Sequence, residues 1–110
     1  MPQISRATLE TGGNLPVILV YSLCAKPGFE EMVHDELLTL IHKSRLEAGC
    51  LHFDLYRLAD NRFYFLLHEV WESQDALEAH TTSRHTTQFR TAVMRYLEQP
   101  IAMYQIQEVI

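Results

Sequence analysis

The chain is expected to fold as an α+β domain, a four-stranded antiparallel sheet with helices on one face. Three observations predict it. Strand-like runs and helical stripes follow one another in the order strand, helix, strand, strand, helix pair, strand. The two middle strands are joined by the short turn Ala59-Asp60-Asn61, so they pair antiparallel. The helical segments then serve as right-handed crossovers, which puts them all on the same side of the sheet. At 110 residues this is one domain.

Residues 1–14 have no apolar period and end in Gly12-Gly13-Asn14, which reads as a flexible leader before a domain over 15–110. Pro16 to Cys24 is rich in β-branched and aromatic residues and reads as the first strand. Lys26-Pro27-Gly28 stops it. A helix is expected over about 29–47, with Phe29, Val33, Leu37, Leu40, Ile41 and Ser44 on one stripe. Glu30 and Glu31 in its first turn, and Lys43 and Arg45 near its last, complement the helix dipole. Gly49 is placed to end it. Cys50 to Leu58 alternates, with Leu51, Phe53 and Leu55 on one side and His52, Asp54 and Tyr56 on the other. Arg62 to Trp71 is its partner. Ser73 caps a short helix through about Ala79, and Ser83 caps a second. Phe89, Val93, Tyr96 and Leu97 form the buried stripe of that second helix, which Pro100 ends. Residues 101–109 are the last strand.

Composition excludes several classes of partner. Net charge is −5 and Arg and Lys form no basic run, so nucleic acid is not an expected ligand. Leu15 to Ala25 is apolar but too short to span a bilayer, and with Glu10 ahead of it and only Arg6 positive it makes a poor signal peptide. Cys24 and Cys50 have no metal or redox spacing and read as reduced, buried thiols of a cytoplasmic protein. Hydrophobic residues make up 47% of the chain, more than one small core needs. The surplus points to a homodimer through the helix-free face of the sheet, where His52 and His68 would lie.

The chemistry is concentrated between Glu69 and His85. Phe65, Leu67, Glu69 and Trp71 share one face of a strand, so Glu69 is a carboxylate on an otherwise apolar face. Burial raises the pKa of such a group and suits it to proton transfer. It can equally close one end of the core, bonded to backbone or to Arg45. His80 ends the short helix with Leu77 one turn before it, which aims it partly inward. An inward histidine is a satisfied core residue or a base, and as a helix-end residue it is expected to carry little of the core. His85, in the first turn of the last helix, is placed to accept a proton or a hydrogen bond, or simply to cap. Trp71 can stack on an aromatic ligand or wall the core. Tyr21, Tyr56, Tyr64 and Tyr104 are strand residues whose hydroxyls need partners if buried. His34 and His42 lie off the apolar stripe and read as solvated. His80, His85 and Glu69 are the one conceivable metal set, but HxH, HxxxH and HExxH spacings are all missing, so no metal is expected. No glycine-rich phosphate loop supports a flavin or nicotinamide.

Ala25-Lys26-Pro27-Gly28, then Ser44-Arg45-x-Glu47-x-Gly49-Cys50-Leu51-x-Phe53-Asp54-Leu55-Tyr56-Arg57, then Phe65-x-x-x-Glu69-x-Trp71-x-Ser73-x-x-Ala76-Leu77-x-Ala79-His80, Ser83-x-His85 and Phe89 follow in order. This series resembles the antibiotic biosynthesis monooxygenase domain family, including its quinol monooxygenase type, over about residues 17–109. The resemblance implies a ferredoxin-like subunit, two of which pack sheet to sheet into a dimeric α+β barrel. It also implies oxidation of a quinol, anthrone or related polycyclic phenol with molecular oxygen, without metal, flavin or haem. His80 falls where the family pattern has a histidine, so the expected catalytic residues are His80, Glu69 and His85. Trp71, Tyr21, Phe53 and Phe89 are the expected substrate contacts. Haem degradation is disfavoured, because the first strand has no asparagine and the last helix has Arg90 near the place of the haem-binding histidine. The family also contains an isomerase of a phosphorylated autoinducer sugar, and a non-catalytic ligand-binding dimer would use the same pocket. Membership therefore speaks to fold more than to substrate.

Overall fold

The computed structural model describes residues 15–110, so the leader expected over 1–14 lies outside the described residues. The elements run β1 (Val17–Cys24), α1 (Glu30–Ser44), β2 (Cys50–Leu58), β3 (Asn61–Trp71), α2 (Gln74–Thr81), α3 (Arg84–Val93), a 3₁₀ turn (Met94–Tyr96) and β4 (Ala102–Ile106). The sheet order is β2-β3-β1-β4, with every neighbouring pair antiparallel. This is the ferredoxin-like α+β fold expected from the sequence.

Side chains alternate across each strand, so one face of the sheet is fixed by Val17, Leu19 and Leu23 from β1, Phe53 from β2 and Phe65, Leu67 and Trp71 from β3, all buried. Against it pack Val33, Leu37, Leu40 and Ile41 of α1, Leu77 of α2 and Phe89 and Val93 of α3. The i, i+4, i+7/8 spacing on α1 makes that stripe. Each buried aliphatic or aromatic side chain contributes about 1.5–3 kcal/mol by leaving water. Among the described residues the opposite face has no helix on it. The register places Ile18, Val20, His52, Asp54, Tyr56, Leu66, His68, Val70, Tyr104 and Ile106 there, and Tyr56 and Tyr104 are more than half exposed.

Five expectations shift. Helix α1 ends at Ser44 rather than near residue 47, which leaves Arg45 to Gly49 as a turn closed by Gly49 at φ +84°. Phe29 is not on the buried stripe; it is exposed and stacks on Tyr96 at 4.7 Å, while Glu30 takes the buried position and pairs with Arg62. In β2 a bulge between Cys50 and His52 takes Leu51 out of the alternation and leaves it half exposed. The last strand is shorter than 101–109, since pairing with β1 stops at Ile106. The cysteines are free and half-buried rather than buried. Among the described residues no helix is long and apolar enough to cross a membrane.

Candidate functional site

Two carboxylates and two imidazoles meet where the end of β3, α2 and the start of α3 come together. Glu69 is on the inner face of β3 because Phe65, Leu67 and Trp71 are. It is 3% exposed, and Trp71, two residues on, donates its indole Nε1–H to Glu69 Oε1 at 2.9 Å. Helix α2 is started by Ser73, whose hydroxyl accepts from the Ala76 amide at 3.1 Å. With that start fixed, Leu77 and His80 fall on its buried side. His80 is 3% exposed, stacks on Trp71 at 4.5 Å and meets Phe53 edge-on at 5.5 Å. It is therefore part of the core, contrary to the expectation for a helix-end residue. Ser83 caps α3 and brings His85 into its first turn.

Glu47 joins them, and the reading of the sequence gave it no chemical role. It stands in the turn after α1, where the Gly49 carbonyl accepts from the Glu72 amide at 2.8 Å. Glu47 Oε1 is 2.9 Å from His80 Nδ1 and is also bonded to His85 Nε2. His80 Nε2 is 3.9 Å from Glu69 Oε1. A carboxylate only accepts, so the tautomer that satisfies Glu47 has the His80 proton on Nδ1 and the lone pair on Nε2, toward Glu69. The metal set imagined from the sequence is thus rearranged: the carboxylate between the two histidines is Glu47, and Glu69 faces the other nitrogen of His80.

Beside this cluster is a small cleft. Its polar lining is Tyr21, Glu69, His80, Thr86 and Arg90, and its apolar lining is Leu23, Leu40, Leu67, Phe89 and Ile101. Its cavity volume is about 50 Å³. Of the expected site residues, Glu69, His80, Tyr21 and Phe89 line it. Trp71 and Phe53 stand behind His80 instead, as its stacking partners. His85 lies on the far side of Glu47, in a surface depression with Lys43, Arg84 and Gln88.

Burial sets the electrostatics. It pushes Glu69 up to about 7, against the bond from Trp71 and helped by the negative charge of Glu47. It pushes His80 below its ordinary value, outweighing the pull of Glu47 the other way. Tyr21 is raised to about 12 by burial and then by Glu69, so it stays a phenol. Near neutral pH the cleft therefore presents an uncharged imidazole beside a carboxyl group able to hold or release a proton, which is an acid/base pair.

Comparison with known proteins agrees with the fold. The model of the family described as antibiotic biosynthesis monooxygenase matches residues 16–92, from the start of β1 nearly to the end of α3. A Mycobacterium tuberculosis protein named putative monooxygenase Rv0793 is 31% identical over 88 residues, 80% of this chain and 86% of that protein. The structure of Rv0793 superposes with a TM-score of 0.81 at 28% identity, covering 86% of this chain and 96% of that one. The crystal structure of PA3566 from Pseudomonas aeruginosa also gives 0.81, at 30% identity over 87% of this chain and 96% of that one.

Proposed function

The chain belongs to the antibiotic biosynthesis monooxygenase family, and we propose that it oxidises a small electron-rich aromatic, such as a quinol, anthrone or related phenol, with molecular oxygen and no metal, flavin or haem. The observation that carries this reading is His80, anchored through Nδ1 by Glu47 with Nε2 turned to Glu69 at an apolar cleft. His80 Nε2 takes the acidic proton of the substrate. The resulting anion is electron-rich enough to reduce oxygen directly. For a methylene carbon flanked by aromatic rings, a C–O bond forms to dioxygen, the O–O bond breaks, and the products are one carbonyl and one water. The substrate supplies all four electrons, so the balance needs no external reductant. The protein contributes deprotonation, orientation and a dry cleft.

The apolar walls Leu23, Leu40, Leu67 and Phe89 suit an aromatic ring. The cleft is smaller than the apolar cavity of about 150 Å³ that takes benzene. A ring therefore sits partly in its mouth, near the exposed Arg90, or opens the cleft on entry. The alternative of a phosphorylated sugar fits these walls poorly, since Arg90 is the one cationic side chain in the lining. A non-catalytic binder would use the same cleft with Glu69 and His80 consumed by structural hydrogen bonds, such as those to Trp71 and Glu47, and binding of a phenol by the parent with no oxygen uptake would favour it.

The same reading includes a homodimer formed through the helix-free face, where Ile18, Val20, Leu66, Val70, Tyr104 and Ile106 lie together. The enzymatic reading is tested by oxygen uptake with anthrone and menadiol. His80→Gln should lower turnover by about 10²–10⁴-fold, the usual loss for a general base. Full activity in that variant, or no uptake by the parent with any electron-rich phenol, would remove the basis of the proposal.

A further inference from the structure

The Glu47–His80–His85 cluster can do more than orient one base. We propose that it is a binding site for a zinc-class divalent cation, and that occupancy switches the proton-transfer chemistry off. Glu47 Oε1, one nitrogen of His80 and one of His85 all lie within 4.8 Å of one another. They come from three separate segments, the turn after α1, the end of α2 and the start of α3. Ligands at about 2.0–2.1 Å from a tetrahedral ion lie roughly 3.3 Å apart, so the side chains need only small movements to close on one.

The donor set is right for this class. Two imidazoles and one carboxylate suit zinc and similar first-row ions, and three protein ligands leave a fourth position for water. The shell behind the ligands is built as well. His80 is held by the stack on Trp71 at 4.5 Å, and its other nitrogen faces Glu69 Oε1 at 3.9 Å. A carboxylate that accepts from the far nitrogen is the usual support for a ligating histidine, and a small approach would bring Glu69 from 3.9 Å to hydrogen-bond distance. The depression lined by His85, Lys43, Arg84 and Gln88 gives a route from solvent. Lys43 and Arg84 on its rim oppose a cation, which points to a reversible site rather than a permanently filled one.

The effect on chemistry follows from counting protons on one ring, and this part rests on the reading of His80 as the base. In the free site Nδ1–H donates to Glu47 and the Nε2 lone pair is available. A cation on Nδ1 needs the lone pair of that nitrogen, so the single proton of the neutral imidazole moves from Nδ1 to Nε2. His80 then has no lone pair to offer a substrate. Glu47 is consumed at the same time.

The test is a zinc titration of chelator-treated protein against a chromophoric chelator, with oxygen uptake followed in parallel. One zinc per chain is expected, with Glu47→Gln and His85→Gln each weakening binding by more than about tenfold. His42→Gln, an exposed residue of α1, should bind as the parent does. Activity should fall with the same zinc dependence and return on adding chelator. His85→Gln is the informative variant if Glu47→Gln fails to fold, because His85 is the more exposed of the two histidines. No stoichiometric binding, or binding that survives both substitutions, would overturn the site. Stoichiometric binding with full activity would leave the site standing and refute the His80 base.

Discussion

Gly49 offers a quantitative test of the turn that delivers Glu47. Both Gly49 and Gly28 have positive φ, at +84° and +94°. Alanine at either one must adopt a left-handed backbone conformation, at roughly 1–2 kcal/mol. They differ in their surroundings. A Cβ on Gly28 meets nothing within 4 Å, whereas one on Gly49 comes 2.6 Å from Ala76 Cβ and 3.3 Å from Glu72 Cγ. Ala76 is a methyl on the backbone of α2 and cannot swing aside, so the turn or the helix must move. Overpacking of that kind adds about 1–3 kcal/mol. Gly28→Ala should therefore cost about 1–2 kcal/mol and Gly49→Ala roughly 2–5 kcal/mol, a large part of the stability of a domain this size. Each kcal/mol is worth roughly 4–8 °C in Tm. Urea denaturation of the parent and both variants, at one protein concentration, measures the difference. Equal losses, or a smaller loss at Gly49, would show that the contact with Ala76 does not constrain the turn. The displaced turn also carries Glu47, so Gly49→Ala should lose activity even where it remains folded, and Gly28→Ala should not.

His80→Ala should destabilise by about 2–5 kcal/mol, because it empties a fully buried position between Trp71 and Phe53; chemical denaturation checks it, and a loss under about 1 kcal/mol would contradict the packing described. His85→Ala should cost only about 1 kcal/mol, the loss of one hydrogen bond at a partly exposed site. The Arg62 guanidinium holds the Glu30 carboxyl below its ordinary value of 4.5, so its folded-state pKa is the lower one; the stabilisation is complete above 4.5 and is lost as pH falls through the folded value. The acid limb of a stability–pH curve should therefore be shallower in Arg62→Gln, and an unchanged limb would rule the pair out as its source. Sedimentation at micromolar concentration should give about twice 12.8 kDa, and a clean monomer would refute pairing through the open sheet face.

Period-two and helical patterns carried most of the fold. The alternation Phe65, Leu67, Glu69, Trp71 assigns one face of β3 without help from the rest of the chain, and the structure keeps it. Helix caps at Ser73 and Ser83 were equally local, and their hydroxyls do accept from Ala76 and Thr86. What failed depended on distant partners. Leu51 leaves the pattern because a bulge reconciles β2 with β3, and nothing within residues 50–58 announces it. Glu47 went unassigned for a related reason. A helical stripe extended to residue 47 makes it one more solvated charge, whereas its contacts are 33 and 38 residues away. A signal was present, since Gly49 marks a left-handed turn and Glu47 stands two residues before it. Aromatic character marks Trp71 and Phe53 in the sequence, and it does not separate the wall of a cleft from the layer behind it.

That layer gives the protein a built-in optical probe. Trp71 is the only tryptophan in the chain, so every photon of indole emission comes from one ring, face to face with His80 and bonded to Glu69. An imidazole that gains charge, a carboxyl that loses its proton or a quinone lodged in the cleft each alters the excited state of that indole by electron transfer or by field. Steady-state intensity thus reports the condition of the site directly, with no label and no knowledge of the natural substrate. A library of candidate phenols can be ranked by quenching before any turnover is sought.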